Sequence, residues 1–483
     1  MRSDPALLSI AAAGIALLLV LIIRLRLEPF VSLLLVSGAV ALAAGLPLDQ
    51  IVPTMEGGMG KVLGHVAPIV GLGALLGKML ELSGGAQRIA DRLLHLLGER
   101  RAPLALGMTG LLFGIPVFFE VGVIVLAPVV YAAAVRGGGA RSMLYYCLPL
   151  AGGLAIVHGL LPPHPGAVAA SGLLGVGLGW VIVAGAACAV PAWIAGGYFY
   201  ARWIAERVYV PIPEHVAESF RDEYEEGQRP VGEPLEPPLS AGGGTAVLTA
   251  ARPATRVAPA VGLATVLAIV LLPIALILFG TFSSILITDE HNPVRVALGF
   301  VGAPVIALLA AVLVAFYVLG ARRGWSREHL ATVAENALKP VGMILLVVGA
   351  GGVFGAVLVA SGVGDVLARS LGGTGLPLIV LAFVIALSLR IAQGSATVAI
   401  VAASGIVGPL VKHAALSEAR LALIVVALGA GATAASHIND AGFWLVSRYF
   451  GIREKDALKS WTVMETVMGV TAFGTAAALS VVL

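Results

Sequence analysis

The chain has 483 residues, 59% of them hydrophobic and only 12% charged, with a mean hydropathy of +0.99. A soluble domain carries about twice that charged fraction, so the composition excludes a water-soluble fold and predicts an all-α polytopic membrane protein. Thirty basic and 27 acidic residues leave a net charge of +3, and no basic cluster points to nucleic acid.

Apolar segments fall at 6–23, 29–46, 61–83, 103–134, 142–176, 178–203, 257–280, 296–319, 339–361, 375–411, 420–450 and 460–483. Several approach or exceed the roughly 20 residues a helix needs to cross a bilayer. The first lacks a clear small-residue cleavage site and is followed by Arg24 and Arg26, which predicts a retained helix rather than a signal peptide. Segments 103–134 and 375–411 are too long for one ordinary helix and break at "FGIPVFFE" and "LRIAQGSAT". Each is expected to be a re-entrant hairpin, since non-helical backbone at membrane depth must be surrounded by protein or a wet cavity. Cys147 and Cys188 both lie in apolar stretches, so no disulfide framework is expected.

Shifting Lys61–Gly84 by 278 positions sets it on Lys339–Gly362, with nine of 24 positions identical. An offset of 275 then sets Glu120 on Ser395 and His164 on Asn439. Duplicated hydrophobic units of this kind build many secondary transporters, with the substrate site where the copies meet. Basic residues cluster in cytoplasmic loops. If Arg88, Arg92, Arg100, Arg101, Arg136 and Arg141 lie inside, so do the 204–256 loop, Arg322, Arg323, Arg327, Arg448, Arg453, Lys455 and Lys459. The second hairpin then opens outward, flanked by sparser charge (Asp365, Arg369, Lys412, Glu418, Arg420). The copies come out inverted, each with five crossings and one hairpin, ten spanning helices in all, and both termini outside. The expected domains are a first repeat at 1–203, a linker at 204–256 and a second repeat at 257–483. The linker is acidic and rich in Pro and Gly, which predicts a cytoplasmic tether.

Polar residues interrupt four segments at lipid depth, where a charge costs roughly 3 kcal/mol or more and marks a bundle interior or a pathway. In "GIPVFFEVG", Glu120 follows the Gly114/Pro116 break and is a candidate proton carrier or a partner for free backbone at the tip. In "HGLLPPHPG", His158 and His164 flank a Pro-Pro break and are further candidates for proton coupling, His164 also for substrate. In "RIAQGSATVA", Gln393, Ser395 and Thr397 surround Gly394. Their amide and hydroxyls suit a substrate rich in hydroxyls and carboxylate oxygens, and helix N-termini after such breaks favour anions. Arg390 could pair with a carboxylate, snorkel, or neutralise Glu120. In "ASHINDAGF", Ser436, His437, Asn439 and Asp440 break the partner helix, where Asp440 could also cap "AGFWLVSRYF". Lys61, His65 and Lys339 fall near the expected helix ends and read as structural.

Together with "SGGAQRIA", these strings resemble the gluconate permease (gluconate:proton symporter) family over about Gly57 to Gly451. The resemblance implies a homodimer of inverted repeats in a bacterial inner membrane. It also implies elevator-type transport of gluconate or a related sugar acid, driven by protons, with no cofactor and no metal. Sodium-coupled relatives carry Ser-Asn-Thr hairpin tips, and "FFEVG" and "QGSAT" depart from that pattern toward proton coupling. A channel need not carry two broken helices with a titratable tip, which leaves two other readings. One is a proton- or sodium-coupled carrier of D-serine or another small carboxylate. The other is an intramembrane metalloenzyme using His158, His164, His437 and Asp440, which lacks a compact ligand spacing.

Overall fold

The computed structural model describes residues 3–137, 141–213, 261–363, 366, 376–412 and 414–483. Among them regular structure is helical throughout. The first half runs α1 (Asp4–Leu19), α2 (Pro29–Ala44), α3 (Leu48–Leu82), α4 (Gly85–Leu97), α5 (Ala102–Phe113), α6 (Phe119–Arg136), α7 (Leu144–Leu160), α8 (Pro165–Leu174) and α9 (Leu178–Ala205). The second runs α10 (Leu263–Leu286), α11 (Pro293–Val301), α12 (Pro304–Arg323), α13 (Arg327–Leu338), α14 (Val341–Ala360), α15 (Leu378–Gln393), α16 (Ala396–Lys412), α17 (Glu418–Thr433), α18 (Ala441–Tyr449) and α19 (Glu454–Val482).

Among the described residues eight helices are long and apolar enough to cross a membrane: α3, α6, the α7–α8 unit, α9, α10, α12, α14 and α19. The expected ten crossings differ from this set for local reasons. Segments 6–23 and 29–46 form α-helices of only 16 residues, and 420–450 divides into helices of 16 and nine residues around the "ASHIND" break. Segment 296–319 divides before Pro304, whose ring disfavours helix in the preceding residue. From residue 214 on, the expected linker lies outside the described residues, as do Asp365 and Arg369.

Helix α3 begins 13 residues before its apolar segment. Ile51, Gly58, Val62, Val66, Ile69, Val70 and Gly73 keep a helical stripe buried through the polar stretch around Asp49, Gln50 and Glu56. Lys61 therefore stands within α3 and not at a helix end, whereas Lys339 closes α13 as expected. Packing centres on α3 against α14, with α2 also on α14, α5 on α7, α15 on α17, and α17 on α19. The α7–α8 unit is the most enclosed of the spans.

Four of the glycines shared by the two copies, Gly73, Gly77, Gly349 and Gly351, sit at tight contacts. A Cβ on Gly77 would lie 2.4 Å from the Pro116 carbonyl oxygen, so only glycine lets α3 touch the α5–α6 turn this closely. Gly73 meets Pro163, and Gly351 meets Val401 of α16. The duplicated pattern thus serves to seat the interrupted helices. Cys147 and Cys188 are both free and buried.

Candidate functional site: a polar cavity among four helix breaks

Four interruptions converge. Helix α5 stops at Phe113 and α6 resumes at Phe119, and the Pro-Pro segment parts α7 from α8. Gly394 and Ser395 part α15 from α16, and residues 434–440 part α17 from α18. Gly394 adopts φ +85°, a left-handed conformation open to glycine, and a Cβ there would lie 2.1 Å from the Asn439 carbonyl oxygen. The turn between α15 and α16 is therefore pressed against the break in the neighbouring helix.

One buried network joins these two pieces. Arg390, 4% exposed, places Nη2 2.5 Å from Asp440 Oδ2, and Nη1 donates to the Gly394 carbonyl oxygen. The same Asp440 oxygen accepts from Ser436 Oγ, which in turn accepts from Trp461 Nε1 at 2.8 Å. The other carboxylate oxygen caps α18 by accepting from the Gly442 N–H at 3.1 Å. Asn439 Nδ2 donates to the Ile391 carbonyl oxygen at 2.8 Å, a second clamp on the hairpin. On the opposite side, His164 Nε2 and Thr397 Oγ1 are hydrogen bonded at 3.2 Å, and the His158 and His164 rings meet tilted at 53° with centroids 3.8 Å apart.

Between them lies a cavity of about 250 Å³. Of the residues singled out by sequence, Glu120, His158, Arg390, Gln393, Gly394, Ser395, Thr397, Asn439 and Asp440 line it. The others sit elsewhere. Gly114 packs on Val157 and Leu154, Pro116 lines an apolar crevice beside Ile69 and Leu76, and His164 is buried behind Thr397. Ser436 is buried beneath Asp440, and His437 is half-buried, its Nδ1 accepting from the Asn439 N–H at 3.4 Å. Three lining residues with polar side-chain atoms escaped the sequence reading: Thr433, Trp461 and Glu465. Glu465 is 3% exposed and is the sole charged residue of segment 460–483. The intramembrane-charge rule that flagged Glu120 would have found it.

Several buried polar atoms here have no partner: both amide atoms of Gln393, Arg390 Nε, His164 Nδ1 and Glu465 Oε1. An unmade hydrogen bond at a buried group costs about 1–3 kcal/mol, so such a cluster is normally completed by a ligand or water. The first N–H groups of α16 also lack intrahelical acceptors, and Gly394, Ser395, Ala396 and Thr397 at that helix start all line the cavity. Amide donors, hydroxyls and a helix N-terminus form a set suited to an oxygen-rich anion. Among the described residues no three His, Cys, Asp or Glu side chains are grouped to hold a metal ion.

Comparison with known proteins agrees with this architecture. The chain is 42% identical over 472 residues to the inner membrane permease YgbN of Escherichia coli (strain K12), covering 98% of each chain. It is 38% identical over 475 residues to the gluconate permease of Bacillus subtilis (strain 168), covering 98% of this chain and 99% of that one. Two transporter structures share the fold at low identity. MtrF of Neisseria gonorrhoeae, of a class of antimetabolite efflux pumps, superposes with a TM-score of 0.60 at 14% identity, covering 91% of this chain and 86% of that one. The Alcanivorax borkumensis YdaH transporter gives 0.55 at 15% identity, covering 94% and 98%. The GntP family permease model matches residues 6–231 and 246–482. With nearly the whole chain matched by that model and by permeases of its own length, this membrane protein belongs to the GntP permease family.

Proposed function

We propose that the protein is a secondary active transporter that imports gluconate or a related sugar acid together with protons across a bacterial inner membrane. The observation that carries this reading is the cavity itself: a meeting of helix breaks with unpartnered Gln393, Arg390 Nε and Glu465 atoms and the start of α16. A sugar acid supplies one carboxylate for the helix N-terminus and a row of hydroxyls for Gln393, Ser395, Thr397 and Asn439. Relatives named gluconate permeases and an L-idonate transporter, 33–38% identical across nearly the full chain, support the substrate class.

The inverted-repeat architecture is proposed on the duplicated sequence and on a shared order of elements. A long glycine-bearing helix (α3; α14), an interrupted pair (α5–α6; α15–α16), a broken helix (α7–α8; α17–α18) and a closing helix (α9; α19) recur in turn. In this reading each interrupted pair is a re-entrant hairpin, there are ten crossings, both termini lie outside, and the protein is a homodimer working by an elevator motion.

Besides Asp440, which Arg390 holds, two carboxylates line the cavity, Glu120 exposed and Glu465 enclosed. An ionised carboxylate repels an incoming anion, so a site that must take up a proton before it accepts the sugar acid couples the two obligatorily. The proton-coupling role is therefore assigned to this pair, with His158 and His164 as the neighbouring groups to exclude. Uptake of labelled gluconate into proteoliposomes, with and without an imposed pH gradient, tests the proposal. Accumulation only with the gradient supports it, and gluconate uptake indifferent to the gradient overturns the coupling.

A further inference from the structure

A second cavity, of about 690 Å³, opens at the opposite end of α8 and α16 from the candidate site. The two helices pack side by side. Their starts, at His164 and Thr397, adjoin the first cavity, and their ends, at Gly172 and at Gly408 and Lys412, line the second together with α3 and α14. Three basic side chains face this space: Lys61 and His65 of α3 and Lys412 of α16. Among the described residues no carboxylate lines it, and Glu418 stands beside Gly177 at the rim. Lys61 and Lys412 are exposed and make no ion pair or hydrogen bond among the described residues.

The duplicated register shows how Lys61 comes to be free. Its counterpart Lys339 is held by Glu335 at 3.1 Å and by Asn336 at 3.2 Å. At the same 278-residue offset the first copy has Gly57 and Gly58 in place of those two partners. Gly58 is needed there for packing, because a Cβ on it would lie 2.7 Å from the Gly352 carbonyl oxygen. Close contact between α3 and α14 therefore bars an Asn336 equivalent, and glycine at position 57 leaves Lys61 without a Glu335 equivalent, so its charge stays in the cavity.

We propose that this second cavity is an anion-capture vestibule, in which Lys61 and Lys412 gather the carboxylate of a sugar acid on the side away from the polar cavity. The ligand class rests on the sugar-acid reading above, whereas the charge of the vestibule does not. Ammonium groups act as hydrated point charges without a fixed fork geometry, so capture is weak and leaves the substrate free to move on. A cleft lined by one sign of charge raises the local concentration of the opposite ion.

The test places a thiol in the vestibule with Val359→Cys, a lining position that is 40% exposed, in nanodiscs that leave both faces open. The native thiols, Cys147 and Cys188, are buried, and the unsubstituted chain gives their background. An anionic methanethiosulfonate carrying a sulfonate should react faster than a cationic trimethylammonium reagent by on the order of tenfold. Adding Lys61→Gln and Lys412→Gln should remove that preference, Lys61→Arg and Lys412→Arg should keep it, and gluconate should slow the reaction of the lysine-bearing protein. Equal reactivity of the two reagents, or a preference that survives removal of both lysines, overturns the proposal. So does a block produced by anionic but not zwitterionic lipid with no protection by gluconate, which would make the occupant a lipid headgroup. The readout is labelling and needs no transport, so it stands or falls separately from the uptake test.

Discussion

Arg390 and Asp440 are 50 residues apart in the chain and 2.5 Å apart in space, and their ion pair fastens the end of α15 to the helix break beside it. Both are almost fully buried, and Asp440 also holds Ser436 and the start of α18. Removing one member of a buried pair leaves an uncompensated charge and typically costs about 3–5 kcal/mol. Arg390→Ala and Asp440→Ala are each expected to lower thermal stability in detergent strongly. The double variant should lose less than the sum, with a coupling of roughly 0.5–3 kcal/mol. Additive losses would show that the pair does not act as a unit.

Gln393 presents the opposite case. Its amide makes no hydrogen bond in the protein although it lines the cavity. Gln393→Ala should therefore leave thermal stability nearly unchanged while weakening substrate affinity by about 1–3 kcal/mol. Ser395→Ala should weaken affinity by a similar amount, roughly 1–3 kcal/mol. Ser436→Ala, which breaks the Trp461–Ser436–Asp440 chain, should show the reverse pattern, with stability lost first. Isothermal titration beside thermal unfolding separates the two patterns, and unchanged affinity in both Gln393→Ala and Ser395→Ala would remove the hairpin tip from the substrate site.

The tight glycine contacts give a graded test of packing. Gly77→Ala puts a methyl 2.4 Å from a backbone oxygen that cannot rotate away, and overpacking of this kind costs about 1–3 kcal/mol. Gly71→Ala puts one 3.5 Å from Leu338 Cδ2, an ordinary contact. Expression and uptake should fall for the first and not for the second. Equal behaviour would mean that the α3 contact with the α5–α6 turn is not as close as 2.4 Å implies.

Much of this arrangement is legible in sequence because lipid leaves few places for polar side chains. Four short strings of Pro, Gly and polar residues mark all four helix breaks, and nine of the flagged side chains line one cavity. Length alone misleads where the chain is short or amphipathic. The 16-residue α1 and α2 and the polar first third of α3 carry no clean 20-residue apolar signature. Roles within the network were not legible, since only folding brings Trp461 and Glu465 to residues 25 and more positions away. For the same reason Arg390, open in sequence to a ligand carboxylate, turned out to hold Asp440.

For coupling, Gln imitates a protonated carboxyl but cannot release the proton. Glu120→Gln and Glu465→Gln are each expected to reduce pH-driven accumulation, and the double variant to abolish it, while substrate exchange persists in all three. Exchange needs only the loaded carrier to move, whereas accumulation needs the empty carrier to return without its proton. His164→Gln, at a residue buried behind Thr397, should keep the pH response. Should the double carboxylate variant still accumulate with pH and His164→Gln fail, coupling belongs to the Pro-Pro break. Should every variant respond to pH, the assignment to this cluster is wrong and sodium becomes the ion to test.

In the proposed carrier the cavity between the α15–α16 turn and the broken helices holds the sugar acid. Counterflow tests it most directly, because it reports carrier-mediated exchange without depending on the coupling ion. Proteoliposomes loaded with unlabelled gluconate and diluted into a trace of labelled gluconate should show a transient overshoot of label. Unlabelled L-idonate outside should reduce the overshoot and D-serine should not. No overshoot with gluconate, alongside a clear one with labelled D-serine in D-serine-loaded vesicles, would contradict the account.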